Sequence, residues 1–284
     1  MKRCVVSFAN AQLHYGKGVR RIERFLKKKS FNGDFLYWIA HEEYPPGCPS
    51  HGKHPYAFKP WCFSQARGQG YDCVLWIDAS VIPLDLGPIF AKIQNQGYYF
   101  MESSFKNRKA GEMCSDAALE NFGMSRQEAL KVRQVESGCL GVNFQSPKAQ
   151  IFFQRWMEKS LDGVSFKGYS GRIMSEKTKA INSNLHQFAS KHPRVLGHRH
   201  DQTIAALIAY SLKMKIDKVN TNQIFVDRMY VKRGFKSNSY LINTYFWFED
   251  HFVPISIMRY ALRFRYSFKR FRRRCKKCVL SIFH

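Results

Sequence analysis

The sequence contains no uninterrupted apolar run of about 18 residues, the length a helix needs to cross a bilayer, so no membrane-spanning helix is expected. Its eight cysteines follow no regular spacing, which argues against a disulfide framework and reads as reduced thiols of a cytoplasmic protein. Cys275-Lys276-Lys277-Cys278 has no second Cys/His pair beside it to complete a zinc site. A glycine-rich phosphate loop is missing too, because Gly16-x-Gly18 supplies only the two glycines of a turn. Acidic residues are scarce, 21 Asp and Glu against 46 Lys and Arg, for a net charge of +25. That balance favours anionic partners: a nucleotide diphosphate, nucleic acid or an acidic membrane surface. No RNP, helix-turn-helix or zinc-finger pattern accompanies the charge, so nucleic acid ranks below the others.

What is present is an α/β pattern, with 45% hydrophobic residues to build a core. Arg3 to Phe8 reads as a first strand, its apolar piece being too short for a signal peptide. Val19, Ile22, Phe25 and Leu26 then recur at helical spacing, with Arg20, Arg21, Arg24, Lys27, Lys28 and Lys29 on the outer face. Phe35 to Ile39 is a second strand, followed by a proline-rich loop. His41, Cys48, His51 and His54 there are spaced too irregularly for zinc and read as loop residues. Lys59-Pro60-Trp61 opens a helix, Pro60 suiting its first turn. Cys73 to Ile77 is apolar throughout, as in a strand buried on both faces, and ends abruptly in Asp78, Ala79 and Ser80. In open α/β sheets ligands gather just beyond the carboxyl ends of such strands. Further strands are expected at Tyr98–Glu102, Gly138–Phe144, 216–219 and 223–226. Helices are expected over 86–93, from Ser125, from Ser146 and from Asp201.

Leu75-Trp76-Ile77-Asp78-Ala79-Ser80 resembles the strand and Asp-x-Asp segment of nucleotide-sugar-dependent glycosyltransferases with the GT-A fold. Glu136-Ser137-Gly138 before an apolar strand, and His198-Arg199-His200-Asp201-Gln202 before an apolar helix, are similar to later blocks of that family, in the same order. The resemblance implies a Rossmann-like mixed, mostly parallel sheet flanked by helices over residues 1–250. It implies transfer of a hexosyl or related sugar from a UDP- or GDP-sugar to a glycan, protein or lipid hydroxyl. By the same resemblance Ser7, Ala9, Asn10, Tyr15, Lys59, Asp78, Ala79 and Ser80 lie on the donor. Ser137, Gly138, His198 and Arg199 lie by the acceptor or sugar, and Asp201 or Glu136 is the base or acceptor-orienting carboxylate. Mn2+ or Mg2+ would be held by Asp78, Ser80 and His200, although Ser80 stands where the family has its second, metal-ligating Asp. A nucleotidyltransferase would need at least two acidic metal ligands, and only Asp78 is convincing.

Residues 251–284 form a separate basic tail. Arg259 to Lys277 contains ten Lys and Arg and no acid, while Ile257, Ala261, Phe264, Phe268 and Phe271 recur at spacings of three and four. Such a cationic amphipathic helix suits the anionic cytosolic face of a membrane, with Cys275 and Cys278 as palmitoylation candidates. Its apolar face could equally dock on the chain's own core. A non-enzymatic basic module binding membrane or nucleic acid is the alternative to the enzyme.

Overall fold

The computed structural model describes residues 1–9, 13–40, 44–83, 85–103, 108–168, 189–218 and 224–226. Five strands make one sheet: β1 (Arg3–Ala9), β2 (Asp34–Ile39), β3 (Cys73–Ile77), β5 (Tyr98–Glu102) and β6 (Val135–Asn143). Their order is β2-β1-β3-β6-β5. β1 runs parallel to β2 and β3, and β6 runs antiparallel to both β3 and β5, so four of the five strands share one direction. This is the mixed, mostly parallel sheet expected from the sequence. A short β4 (Val81–Pro83), not expected, pairs antiparallel with β7 (Ile224–Val226). The expected strand at 216–219 is only an isolated bridge, Met101 to Asp217.

The helices are α1 (Leu13–Lys28), α2 (Phe58–Gly68), α3 (Gly87–Gln96), α4 (Asp116–Phe122), α5 (Arg126–Ala129), α6 (Pro147–Leu161) and α7 (His200–Ser211). None of them is long and apolar enough to cross a membrane. The unexpected α4 starts on Ser115, whose hydroxyl accepts the Ala118 N–H, and ends on Gly123 in the left-handed conformation. Ser125 caps α5 in the same way, its hydroxyl accepting from the Glu128 N–H.

β3 shows why its apolar run does not alternate with polar residues. All five residues are fully buried. Val74 and Trp76 face a cluster with Cys62 and Phe63 of α2, Phe152 and Trp156 of α6, and Ile204 and Leu207 of α7. Cys73, Leu75 and Ile77 face the opposite cluster, with Ile22 and Leu26 of α1 and Ile89, Phe90 and Ile93 of α3. Two helical layers therefore cover the sheet. At roughly 1.5–3 kcal/mol for each large apolar side chain, β3 is among the segments that hold the fold together. The described residues fall within the compact unit Met1–Val231; the boundary expected near 250 and the tail 251–284 lie outside them.

Candidate active site

Side chains on a strand alternate between faces, so Asp78 continues the row of Val74 and Trp76 towards α2 and α7. Its backbone N–H donates to Gly138 O at 2.9 Å, extending the β3–β6 ladder by one residue. The Trp76 indole N–H donates to Asp78 Oδ1 at 2.7 Å. On the same oxygen, at 3.2 Å, sits the ammonium of Lys59 from the first turn of α2. Lys59 Nζ also pairs with Asp201 Oδ2 at 2.9 Å and reaches Ser137 O and Oγ at 3.1 and 3.2 Å. Four separate elements thus converge on one buried cation. Their sequence positions span Lys59 to Asp201, and only the folded sheet and its helices bring them together.

Burial differs across this cluster. The Lys59 and Asp201 side chains are each 4% exposed, whereas Asp78 is 33% exposed. Burial alone would lower the Lys59 pKa, but the charges of Asp201 and Asp78 outweigh it and hold it above its ordinary value. The Asp78 carboxyl is raised, first by burial and then by the Asp201 charge, against the pull of Lys59 and the Trp76 hydrogen bond. Its second oxygen faces the position a Gly138 side chain would take: a Cβ there would lie 3.4 Å from Asp78 Oδ2 and 3.5 Å from Glu136 Oε1. Glu136 is half-buried. Both carboxylates therefore meet next to Gly138, with Val81 Cγ2 at 3.3 Å from the same Cβ position.

The other expected site residues divide between this cluster and its supports. Tyr15 is half-buried, and its phenol pKa is raised by burial and then by the Asp78 charge. Ser7 is fully buried and donates to Ile77 O at 2.6 Å, tying β1 to the end of β3. Ala9 and Ala79 pack together with Val19 and Ile39. Ser80 is buried, and Asn10 lies outside the described residues. His198 is fully buried: Nδ1 accepts from the Ser115 N–H at 3.1 Å, and Nε2 lies 3.0 Å from Ser165 O. Burial and the neighbouring His200 pull its pKa down to about 3. The His198 ring thus joins two loops inside the protein. Arg199 is half-buried at the start of α7, and Asp201 lies in the first turn, as the sequence implied.

His200 takes φ +42° and stacks on Tyr56, itself at φ +60°, with ring centroids 5.0 Å apart. Its Nδ1 lies 2.9 Å from Phe166 O. The three residues expected to ligate metal are thus engaged differently. Asp78 Oδ1 meets Lys59 and Trp76, Ser80 is buried, and His200 is held by the Phe166 carbonyl. Among the described residues no group of three His, Cys, Asp or Glu side chains is arranged to hold a metal ion. These contacts engage Asp78 Oδ1 and His200 Nδ1 with partners inside the protein. In the loop before α2, His51 Nδ1 accepts from the Tyr56 N–H, and a His54 ring nitrogen lies 3.3 Å from Ser160 O.

Two contributors escaped the sequence. Arg21, assigned to the outer face of α1, is 2% exposed, and its Nη2 donates to Ala79 O and Val81 O at 3.0 and 3.1 Å. The signal was Gly18, one turn earlier on the same face, where a Cβ would lie 2.1 Å from Ala79 O. Tyr56, in an irregular stretch, gave no periodic signal. Two surface cavities, of ≈ 440 Å³ by Phe122 and Arg155 and ≈ 600 Å³ by Phe25 and Leu86, are lined by none of the expected site residues.

No protein-family model matches the chain, and no curated protein matches it. Among solved structures it is similar to a galactosyltransferase, LgtC, in complex with donor and acceptor sugar analogues, at 13% identity and a TM-score of 0.38, covering 84% of this chain and 81% of that one. It is also similar to a Drosophila β-1,4-galactosyltransferase 7 mutant in complex with manganese, UDP-Gal and xylobiose, at 9% identity and a TM-score of 0.39, covering 85% and 79%. Mouse xyloside xylosyltransferase 1, in its apo form, matches at 9% identity and a TM-score of 0.39, covering 78% and 86%.

Proposed function

We propose that this chain transfers a sugar from a nucleoside diphosphate to a hydroxyl acceptor. The observation that carries the reading is the ion cluster at the end of the central strand, in which Lys59 joins Asp78 to Asp201 beside Gly138. A basic binding module has no evident use for an ammonium and a carboxylate taken out of water beside a second, part-exposed carboxylate at a strand end, since such burial costs several kcal/mol per ion unless the geometry returns it. A perturbed, partly buried carboxylate such as Asp78 at that place marks chemistry more often than scaffolding.

In this reading the donor enters from the β1–α1 side, with Tyr15 against the nucleoside. UDP- and GDP-sugars are the candidate donors. The transferred sugar lies over Gly138, between Asp78 Oδ2 and Glu136. An acceptor hydroxyl of a glycan, protein or lipid attacks the anomeric carbon, forming the new C–O bond while the bond to the diphosphate breaks. The leaving diphosphate carries away the bonding pair, and in an inverting transfer a carboxylate takes the hydroxyl proton. Glu136 is the better base of the two candidates, because it is half-buried whereas Asp201 is enclosed. Asp201 then orients Lys59 and, through it, Asp78. No step is assigned to a Mn2+ or Mg2+ cofactor, because Asp78 Oδ1 is already shared by Lys59 and Trp76 and position 80 offers a neutral, buried serine. The cytoplasm, with the tail against an anionic membrane face, is the proposed setting.

Glu136→Gln tests the base. The variant should bind nucleotide sugar as the parent does while its turnover falls by about 10²–10⁴, the usual share of a positioned base. Unchanged turnover would remove Glu136 from the reaction.

A further inference from the structure

Lys59 Nζ lies within 2.9–3.2 Å of four oxygens: one from Asp78, one from Asp201, and the hydroxyl and carbonyl of Ser137. Two carboxylates, a hydroxyl and a backbone carbonyl are the hard oxygen donors that a divalent cation ordinarily collects. Here an ammonium takes them. Its three N–H groups meet four acceptors, so the nest saturates the cation rather than leaving it short of partners. The stem is equally well held. Nζ lies 5.3 Å from the Trp76 ring centroid and 5.8 Å from that of Tyr56, distances at which a cation is attracted to a ring face. The side chain is 4% exposed, so a metal ion could join Asp78 to Asp201 only by expelling a buried, tethered charge. At the second place where a metal would be expected, position 80, the chain offers a neutral, buried serine.

We propose that Lys59 is the built-in cation of this site, filling the oxygen nest between Asp78 and Asp201, and that the nucleotide-sugar donor consequently binds without a divalent metal. The inference rests on the sugar-transfer reading above. Lys59 is a positioning residue in it: it offsets carboxylate charge next to the diphosphate and fixes where Asp78 Oδ2 points. The surplus of 46 Lys and Arg over 21 acidic residues supplies the longer-range attraction for the anionic donor. A fixed ammonium also needs no metal supply and cannot be removed by chelation.

The test is calorimetric titration of a panel of UDP- and GDP-sugars into the full chain, once with EDTA and once with excess manganese. The expected result is the same donor bound in both, with affinities agreeing to within about twofold, where a metal that carried the diphosphate would change them by about tenfold or more. Binding in manganese alone overturns the inference and leaves the sugar-transfer reading standing. Binding in neither overturns that reading and the inference with it. A second arm uses Lys59→Ala, which vacates the nest. Its donor affinity should drop by about tenfold or more in EDTA and return when manganese or ethylammonium is added, a rescue that a merely structural lysine would not show. Parent-like affinity of Lys59→Ala in EDTA also overturns the inference. If Lys59→Ala does not fold, the first arm decides by itself.

Discussion

His198 shows how much of the site is held by residues that do not face a ligand. It accepts from the Ser115 N–H through Nδ1, so its neutral form, with the proton on Nε2 towards Ser165 O, is the one that fits. Its pKa of about 3, against 6.5 in the unfolded chain, fixes the sign of the pH dependence. Above pH 6.5 neither state binds the proton and the stability is complete. As pH falls below 6.5 the unfolded chain binds a proton that the folded chain refuses, so stability is lost until pH 3 is reached. Between pH 7 and pH 5 the loss from this residue is about 2 kcal/mol. Urea unfolding at the two pH values checks it: the parent should lose stability over this window, with His200, also lowered by burial, adding in the same direction and the raised Asp78 carboxyl opposing. His198→Gln, which can still accept and donate, should lose markedly less, and an equal loss in both would acquit His198. The carboxyls held low, Asp72 and Asp162, respond mainly below this window.

Among the elements, the contact between α1 and the turn after β3 decides where Asp78 stands. Gly18 allows α1 to approach Ala79 O, and Arg21 ties two carbonyls of the same turn. Gly18→Ala should force the turn or the helix to shift, costing about 1–3 kcal/mol as overpacking does. Because the shift falls on the Asp78–Ser80 turn, donor affinity should drop along with the melting temperature, and a stable variant with parent-like affinity would show the clamp to be idle. The elements themselves were largely legible. β3 could be read because burial on both faces removes polar alternation, and α2 because Pro60 and the apolar residues after it mark a helix start. Asp78 at the strand end followed from the same pattern, whereas Lys59 near it was implied only by the family resemblance. The Asp201 pairing followed from neither, because its partner comes from α2 and not from the adjacent His198, Arg199 and His200. Arg21 was misread because periodicity assigns a charged residue to solvent unless a carbonyl partner is known. α4 was missed because its seven residues are too short for a periodic signal.

At the scale of the whole molecule, the net charge of +25 and the basic tail give the proposed membrane contact a test of its own. Removal of residues 251–284 should abolish sedimentation with phosphatidylserine vesicles at low salt while leaving donor turnover on a soluble acceptor intact. Loss of both would place the tail within the catalytic unit, and retained vesicle binding would move the membrane contact elsewhere on the basic surface. Membrane attraction of this kind fades as salt shortens the Debye length, to about 3 Å at 1 M. The central claim concerns Asp78 at the end of β3, and direct donor binding tests it. Calorimetric titration of UDP- and GDP-sugars into the parent chain and into Asp78→Ala should show saturable binding in the parent and none in the variant, with both chains folded. Absence of binding to the parent, or equal binding to both, would contradict a nucleotide-sugar site built on Asp78.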